Sequence, residues 1–171
     1  MKDWNWKNLG LLTFAVLLLS AIYCYVLYQL NVIPLGGKKA PTFVFLLVAQ
    51  WFLVYRYSKD HSQEKYHFLK LFAYQYALIV LVGGFGAYGW HLFYESFTGK
   101  EVLQQFVIQS IAEIQKYSPQ IESREGKEYL IQLVQGVQGI TAGSIAKDEF
   151  VQKIALGFLP NLLISLYYKR L

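Results

Sequence analysis

From Leu9 to Leu30 the chain runs for 22 residues without a charged side chain. Coiled into a helix at 1.5 Å per residue, that run is about 33 Å long, enough to cross a hydrocarbon layer of about 30 Å. It is too long for the apolar core of a signal peptide, about 7–15 residues, and no small-x-small cleavage site follows it. An uncleaved membrane helix over 9–30 is the expected reading. The residues after it, NVIPLGGKKA, contain Pro34, Gly36 and Gly37. They predict a short turn that sends the next span back antiparallel to the first.

Three further spans are expected, at about 41–57, 69–97 and 150–168. Pro41 suits a first helical position, where its missing N–H would be unpaired in any case. The third span is the longest and the richest in glycine. The fourth is the weakest: Lys153 interrupts its start, and a charge is tolerated there only if it reaches the headgroups. Asp148 reads as its N-cap, and Pro160 as a potential kink. Only 16% of all residues are charged, against about 25% in soluble domains. The 11 acidic and 16 basic side chains sit mostly between the spans.

The segment 98–149 differs in kind, being polar with both charge signs. In Glu101–Tyr117, Leu103, Val107, Ile111 and Ile114 fall on one helical face, and Gln105, Gln109, Glu113 and Lys116 on another. In Glu128–Ile140 the same pattern places Leu130, Leu133, Val134 and Val137 together. Ser118-Pro119 and Glu125-Gly126 are expected to separate the two stretches. The fold class is therefore all-α: a four-transmembrane-helix bundle of two hairpins with an extracytoplasmic insert of two amphipathic helices. It forms a single integral membrane domain over residues 1–171.

The net charge of +5 is not gathered on one soluble face, so nucleic acid is not an expected partner. The N-terminus, the 56–70 loop and the C-terminus hold Lys2, Lys7, Arg56, Lys59, Lys65, Lys70, Lys169 and Arg170 against Asp3, Asp60 and Glu64. The opposite side balances to zero. The positive-inside rule then puts both termini in the cytoplasm and segment 98–149 outside, in the periplasm of a Gram-negative host whose inner membrane holds the chain. Aromatic residues cluster at the span ends, as expected for interfacial belts.

Few residues offer chemistry. No nucleophile elbow, HExxH, paired cysteine or kinase motif is present, and the glycines of QGVQGITAG lack the Gly-Lys-Ser/Thr of a phosphate loop. No catalytic residue, cofactor or metal site is expected. Cys24 lies in an apolar run and reads as a small packing residue. Ala73, Ala77, Gly84 and Ala87 form a narrow stripe on the third span, read as the helix-packing centre of the bundle or, alternatively, as a self-association face. The stripe continues to His91 and Glu95, a candidate polar site at i, i+4 spacing. His61 and His67 flank Glu64 in the 56–70 loop, where a solvated loop is favoured over metal binding.

Three stretches, VYRYSKDHSQEKYHFLKLF, WHLFYESFTGKEVLQQFVIQSIAEIQK and ALGFLPNLLISLYYKRL, resemble a family of small four-span bacterial membrane proteins common in Bacteroidota, domain of unknown function 4199. The resemblance implies four spans with a helical outer insert, and it implies no catalytic residue. The resulting expectation is a non-enzymatic membrane protein, an accessory or assembly subunit of a larger complex. It would meet the lipid bilayer and a membrane-protein partner or a second copy through the third span. The alternative is a small oligomeric transporter or channel.

Overall fold

The structure, a computed structural model, describes residues 5–60 and 68–169, with Asp60 and Lys169 described by backbone alone. Among these residues it is all-helical: α1 (Trp6–Gln29), a short 3-10 turn (Gly36–Lys39), α2 (Thr42–Asp60), α3 (Phe68–Glu95), α4 (Phe97–Glu125), α5 (Lys127–Gln138) and α6 (Ala142–Lys169). Four helical segments are long and apolar enough to cross a membrane: Trp6–Gln29, Gly36–Lys59, Phe68–Glu95 and Ala142–Tyr168. The chain reads as a multi-pass membrane protein.

Local chemistry explains where these helices start and stop. Asn5 caps α1, its side chain accepting from the Asn8 N–H at 3.2 Å. At the other end Asn31 adopts φ +57, a conformation asparagine tolerates. This lets the Val32 N–H reach the Leu27 carbonyl and the Asn31 N–H reach Tyr28, so a Schellman motif ends the helix before Pro34 and Gly36 arrive.

Two corrections concern the second half. The fourth span begins at Ala142, eight residues before the expected 150. Thr141 and Ser144 cap it reciprocally: the Thr141 N–H donates to Ser144 Oγ at 2.9 Å, and the Ser144 N–H to Thr141 Oγ1 at 3.1 Å. Asp148 is therefore a helix-interior residue rather than the N-cap. Pro119 does not end the first amphipathic stretch but lies inside α4, which continues to Glu125. The break is at Gly126, whose φ of +89 is open to glycine.

The chain divides into two compact units, Met1–Ala87 with Asp148–Leu171, and Tyr88–Lys147. In the first, side-chain contacts fix alternating helix directions. Tyr74 near the start of α3 donates to the Asn5 carbonyl at the start of α1. Lys39, before α2, meets Glu149 in the first half of α6. Tyr57, late in α2, and Tyr168, at the end of α6, share one apolar cluster with Leu9 and Leu71. This cluster, with Leu46, Leu53, Leu78, Ile79 and Val82, is the core. The second unit pairs α4 with α5. Their expected apolar faces are half-buried, while Gln105, Gln109, Glu113 and Lys116 are exposed. The corner into α4 depends on Gly99, where a Cβ would collide with the Phe93 carbonyl.

Candidate functional site: a polar seam inside the bundle

The buried row of α6 is its polar row. Glu149, Lys153, Gly157, Asn161 and Ser165 follow one another at four-residue steps, and all are buried. The outward residues are Val151, Leu156, Phe158, Leu159, Leu163 and Leu166. From Glu149 to Ser165 the seam is about 24 Å long at 1.5 Å per residue, most of a hydrocarbon layer of about 30 Å. Each polar group on it is met from α2, α3 or the turn before α2.

The first half is charged. Lys39 Nζ lies 2.6 Å from Glu149 Oε2, and Lys153 Nζ lies 3.6 Å from Glu149 Oε1. The three side chains are 11%, 10% and 8% exposed. Lys153 also donates to Thr42 Oγ1 at 3.1 Å, and Thr42 donates to the Lys39 carbonyl at 2.8 Å. The i, i+4 spacing on α6 puts Glu149 and Lys153 on one face. Burying an ion costs several kcal/mol unless it is paired and hydrogen-bonded, and this cluster supplies pairs. Cys24 of α1, free and buried, lies within electrostatic reach of all three charges.

The second half is neutral. Gln50 donates to the Gly157 carbonyl at 3.1 Å. Gln75 donates to Ser165 Oγ at 2.8 Å, Ser165 to Asn161 Oδ1 at 3.2 Å, and Asn161 to the Phe72 carbonyl at 3.1 Å. Gln50, Gln75, Asn161 and Ser165 are fully buried. Gln50 Oε1 and Gln75 Oε1 accept no hydrogen bond among the described residues, which gives the middle of the seam acceptor character.

Two glycines of α3 let α6 approach. A Cβ on Gly83 would stand 3.3 Å from the Phe150 ring and 3.4 Å from Lys153 Cβ. One on Gly86 would stand 3.7 Å from Glu149 Oε1. Gly157 answers from α6: its Cβ would come within 3.0 Å of Ile79 Cδ1.

The stripe expected to form the packing centre lies elsewhere. Ala73 is exposed, Ala77, Gly84 and Ala87 are half-buried, and nothing lies within 4 Å of a Cβ on Gly84. At 100° per residue the stripe points away from the face formed by Leu71, Gln75, Leu78, Ile79 and Val82, which are buried. Within this chain the centre of the bundle is made by large residues plus Gly83 and Gly86; of the small-residue stripe, Ala77 packs against the edge of this core, and Ala73 and Gly84 leave an open surface. His91 and Glu95 are not brought together either. Glu95 pairs with Lys100 at 3.2 Å, both more than half exposed, and His91 is half-buried. His61, Glu64 and His67 lie outside the described residues. Among the described residues no group of three or more His, Cys, Asp or Glu could hold a metal.

Lys153, expected at the headgroups, turns inward onto Glu149 and Thr42. The seam residues Lys39, Thr42, Gln50, Gln75, Glu149, Asn161 and Ser165 carried no sequence motif. One signal was present: polar residues at 149, 153, 161 and 165, in register at four-residue steps, within a segment apolar apart from Gln152. Compared with protein-family models, curated proteins and solved structures, the chain matches none.

Proposed function

We propose that this chain is a small, non-enzymatic membrane transporter or channel that handles a small polar or charged solute along the α6 seam. One observation carries the reading: a helix long and apolar enough to cross the membrane turns Glu149, Lys153, Asn161 and Ser165 to the protein interior over about 24 Å, with Gln152 as the outward polar exception, and turns Leu156, Leu159, Leu163 and Leu166 outward. Ionisable side chains within membrane segments are rare, and they mark solute or proton pathways more often than they mark packing. The rival explanation is interhelical hydrogen bonds as glue, and the neutral half of the seam fits it. A Lys–Glu–Lys cluster does not, because apolar residues of the same volume hold helices as well without the desolvation cost.

Four helices enclose a narrow path, so the working unit is an oligomer. The stripe of Ala73, Ala77, Gly84 and Ala87, open at Ala73 and Gly84, offers the close-approach surface for a second copy. That same surface favours a second reading, an accessory or assembly subunit whose third span packs against a different membrane protein. The likeness to family 4199 is compatible with both. In either case the excess of basic residues beside the termini favours both ends in the cytoplasm of a bacterial inner membrane, with the segment between α3 and α6 on the opposite side.

The deciding experiment is reconstitution of the purified full chain into liposomes, with solute and ion flux compared between wild type and Lys153→Met. Flux in the wild type that falls at least tenfold in the variant supports transport. No flux for any small ion or solute, together with co-purification of a stoichiometric membrane partner, replaces transport with the subunit reading.

A further inference from the structure

The Glu149 carboxylate sits in its surroundings as a bound anion would. Its Oε2 is held tightly by Lys39 at 2.6 Å. Its Oε1 is held loosely: Lys153 stands 3.6 Å away, and on the α3 side is the bare backbone of Gly86, where a Cβ would be 3.7 Å from that oxygen. Lys153 has three N–H donors. Among the described residues it makes one hydrogen bond, to the neutral Thr42 hydroxyl at 3.1 Å, and it is 8% exposed. A buried ammonium is stabilised by close pairing and hydrogen bonding, and the shared carboxylate at 3.6 Å leaves room for a closer partner. One side of the site borders an exposed turn. Lys39 closes the turn Gly36–Lys39, in which Gly36, Gly37 and Lys38 are exposed.

We propose that Lys153 and Lys39 form a binding site for a small oxyanion, a carboxylate or phosphate oxygen, and that Glu149 is its built-in competitor, occupying the place of the ligand when none is bound. An incoming oxyanion takes the position of the Glu149 carboxylate between the two ammonium groups, and Thr42 keeps Lys153 aimed at it. The oxyanion arrives as a soluble ion or as the phosphate of a lipid headgroup, since both present the same oxygens at the end of the bundle. The inference rests on the transport reading for its purpose, but its test does not involve flux.

The test uses the full chain in detergent, its unfolding temperature followed by tryptophan fluorescence at constant ionic strength. Sodium acetate and inorganic phosphate are the soluble probes, chloride is the reference, and nanodiscs of phosphatidylcholine with or without phosphatidylglycerol are the lipid probe. Glu149→Gln keeps the shape and removes the competing charge. The expected result is at least tenfold tighter binding of an oxyanion by E149Q than by wild type, and loss of the response in Lys153→Met. Response to acetate or phosphate identifies a soluble ligand; response to phosphatidylglycerol alone identifies a headgroup. If E149Q does not fold, Glu149→Asp, which withdraws the carboxylate by one methylene, carries the same comparison. Equal responses in wild type, the Glu149 variant and Lys153→Met, or no response to any oxyanion, overturn the site. Binding with no flux in liposomes leaves the site standing and removes the transport reading.

Discussion

The two units of this chain obey opposite rules about which side chains face inward. In the first, Gln50, Gln75, Glu149, Lys153, Asn161 and Ser165 are buried, while Leu11, Phe14, Leu18, Val48, Leu159 and Leu163 are exposed. In α4 and α5 of the second, Leu103, Val107, Ile111, Leu133 and Val137 turn partly inward, and glutamines and charges turn out. The same helical periodicity runs through both. What changes is the solvent each outward face has to satisfy. Lipid accepts leucine and penalises an unpaired glutamine; water reverses both preferences. The difference teaches that amphipathicity has a sign, and that the sign is read from which face is buried, not from the pattern alone.

The largest effect should come from breaking the charged cluster of the first unit. Glu149→Ala leaves two buried ammonium groups without their carboxylate and should cost about 3–5 kcal/mol, read as a lower unfolding midpoint in detergent. The triple change Lys39→Met, Glu149→Leu, Lys153→Met should restore most of that stability, because similar-volume apolar residues replace a buried ion cluster at little cost. A triple variant as unstable as Glu149→Ala would mean that the ions, not the volume, hold α6 in place.

Next in size is a matched pair of outward substitutions. Leu159→Arg, on the exposed apolar face of α6, should cost about 2.5–3.5 kcal/mol in a membrane-insertion assay. Ile108→Arg, exposed on α4, should stay within about 0.5 kcal/mol. Equal costs would erase the distinction between the two units. A smaller effect is expected at the glycine contacts. Gly157→Ala drives a methyl against Ile79 and should cost about 1–3 kcal/mol, relieved by Ile79→Val. Gly84→Ala meets open space and should leave monomer stability unchanged or raised, yet weaken any oligomer that packs on the stripe, seen by crosslinking in bilayers. The smallest effect belongs to Thr141→Ala, which removes one side of the reciprocal cap. It should cost about 1 kcal/mol and appear as faster amide exchange confined to the first turn of α6.

Four apolar helices and the two amphipathic faces were legible because each is written in a single local stretch. The seam was not, for a physical reason. Lys39 and Glu149 are 110 positions apart and Gln75 and Ser165 are 90 apart, and nothing local marks one as the partner of the other. The early start of α6 was missed for the same cause: Asp148, Glu149 and Lys153 look like a polar insert until Glu149 and Lys153 are seen to neutralise each other inside. The α3 stripe contributes to the core only through Ala77. Small residues at helical spacing permit close packing, but Leu71, Leu78, Ile79 and Val82 on the far side bury more apolar surface, and that face took the interior.

The account depends on the outward face of the first unit being in contact with lipid, and spin labelling in bilayers measures that contact directly. In a Cys24→Ser background, labels placed singly at Val151, Leu159 and Leu163 should collide readily with molecular oxygen and poorly with a water-soluble nickel chelate. Labels at Gln105, Gln109 and Glu113 should show the reverse. Strong nickel contact at all three α6 positions would contradict the account, since it would place water where the polar seam and its leucine-covered exterior require hydrocarbon.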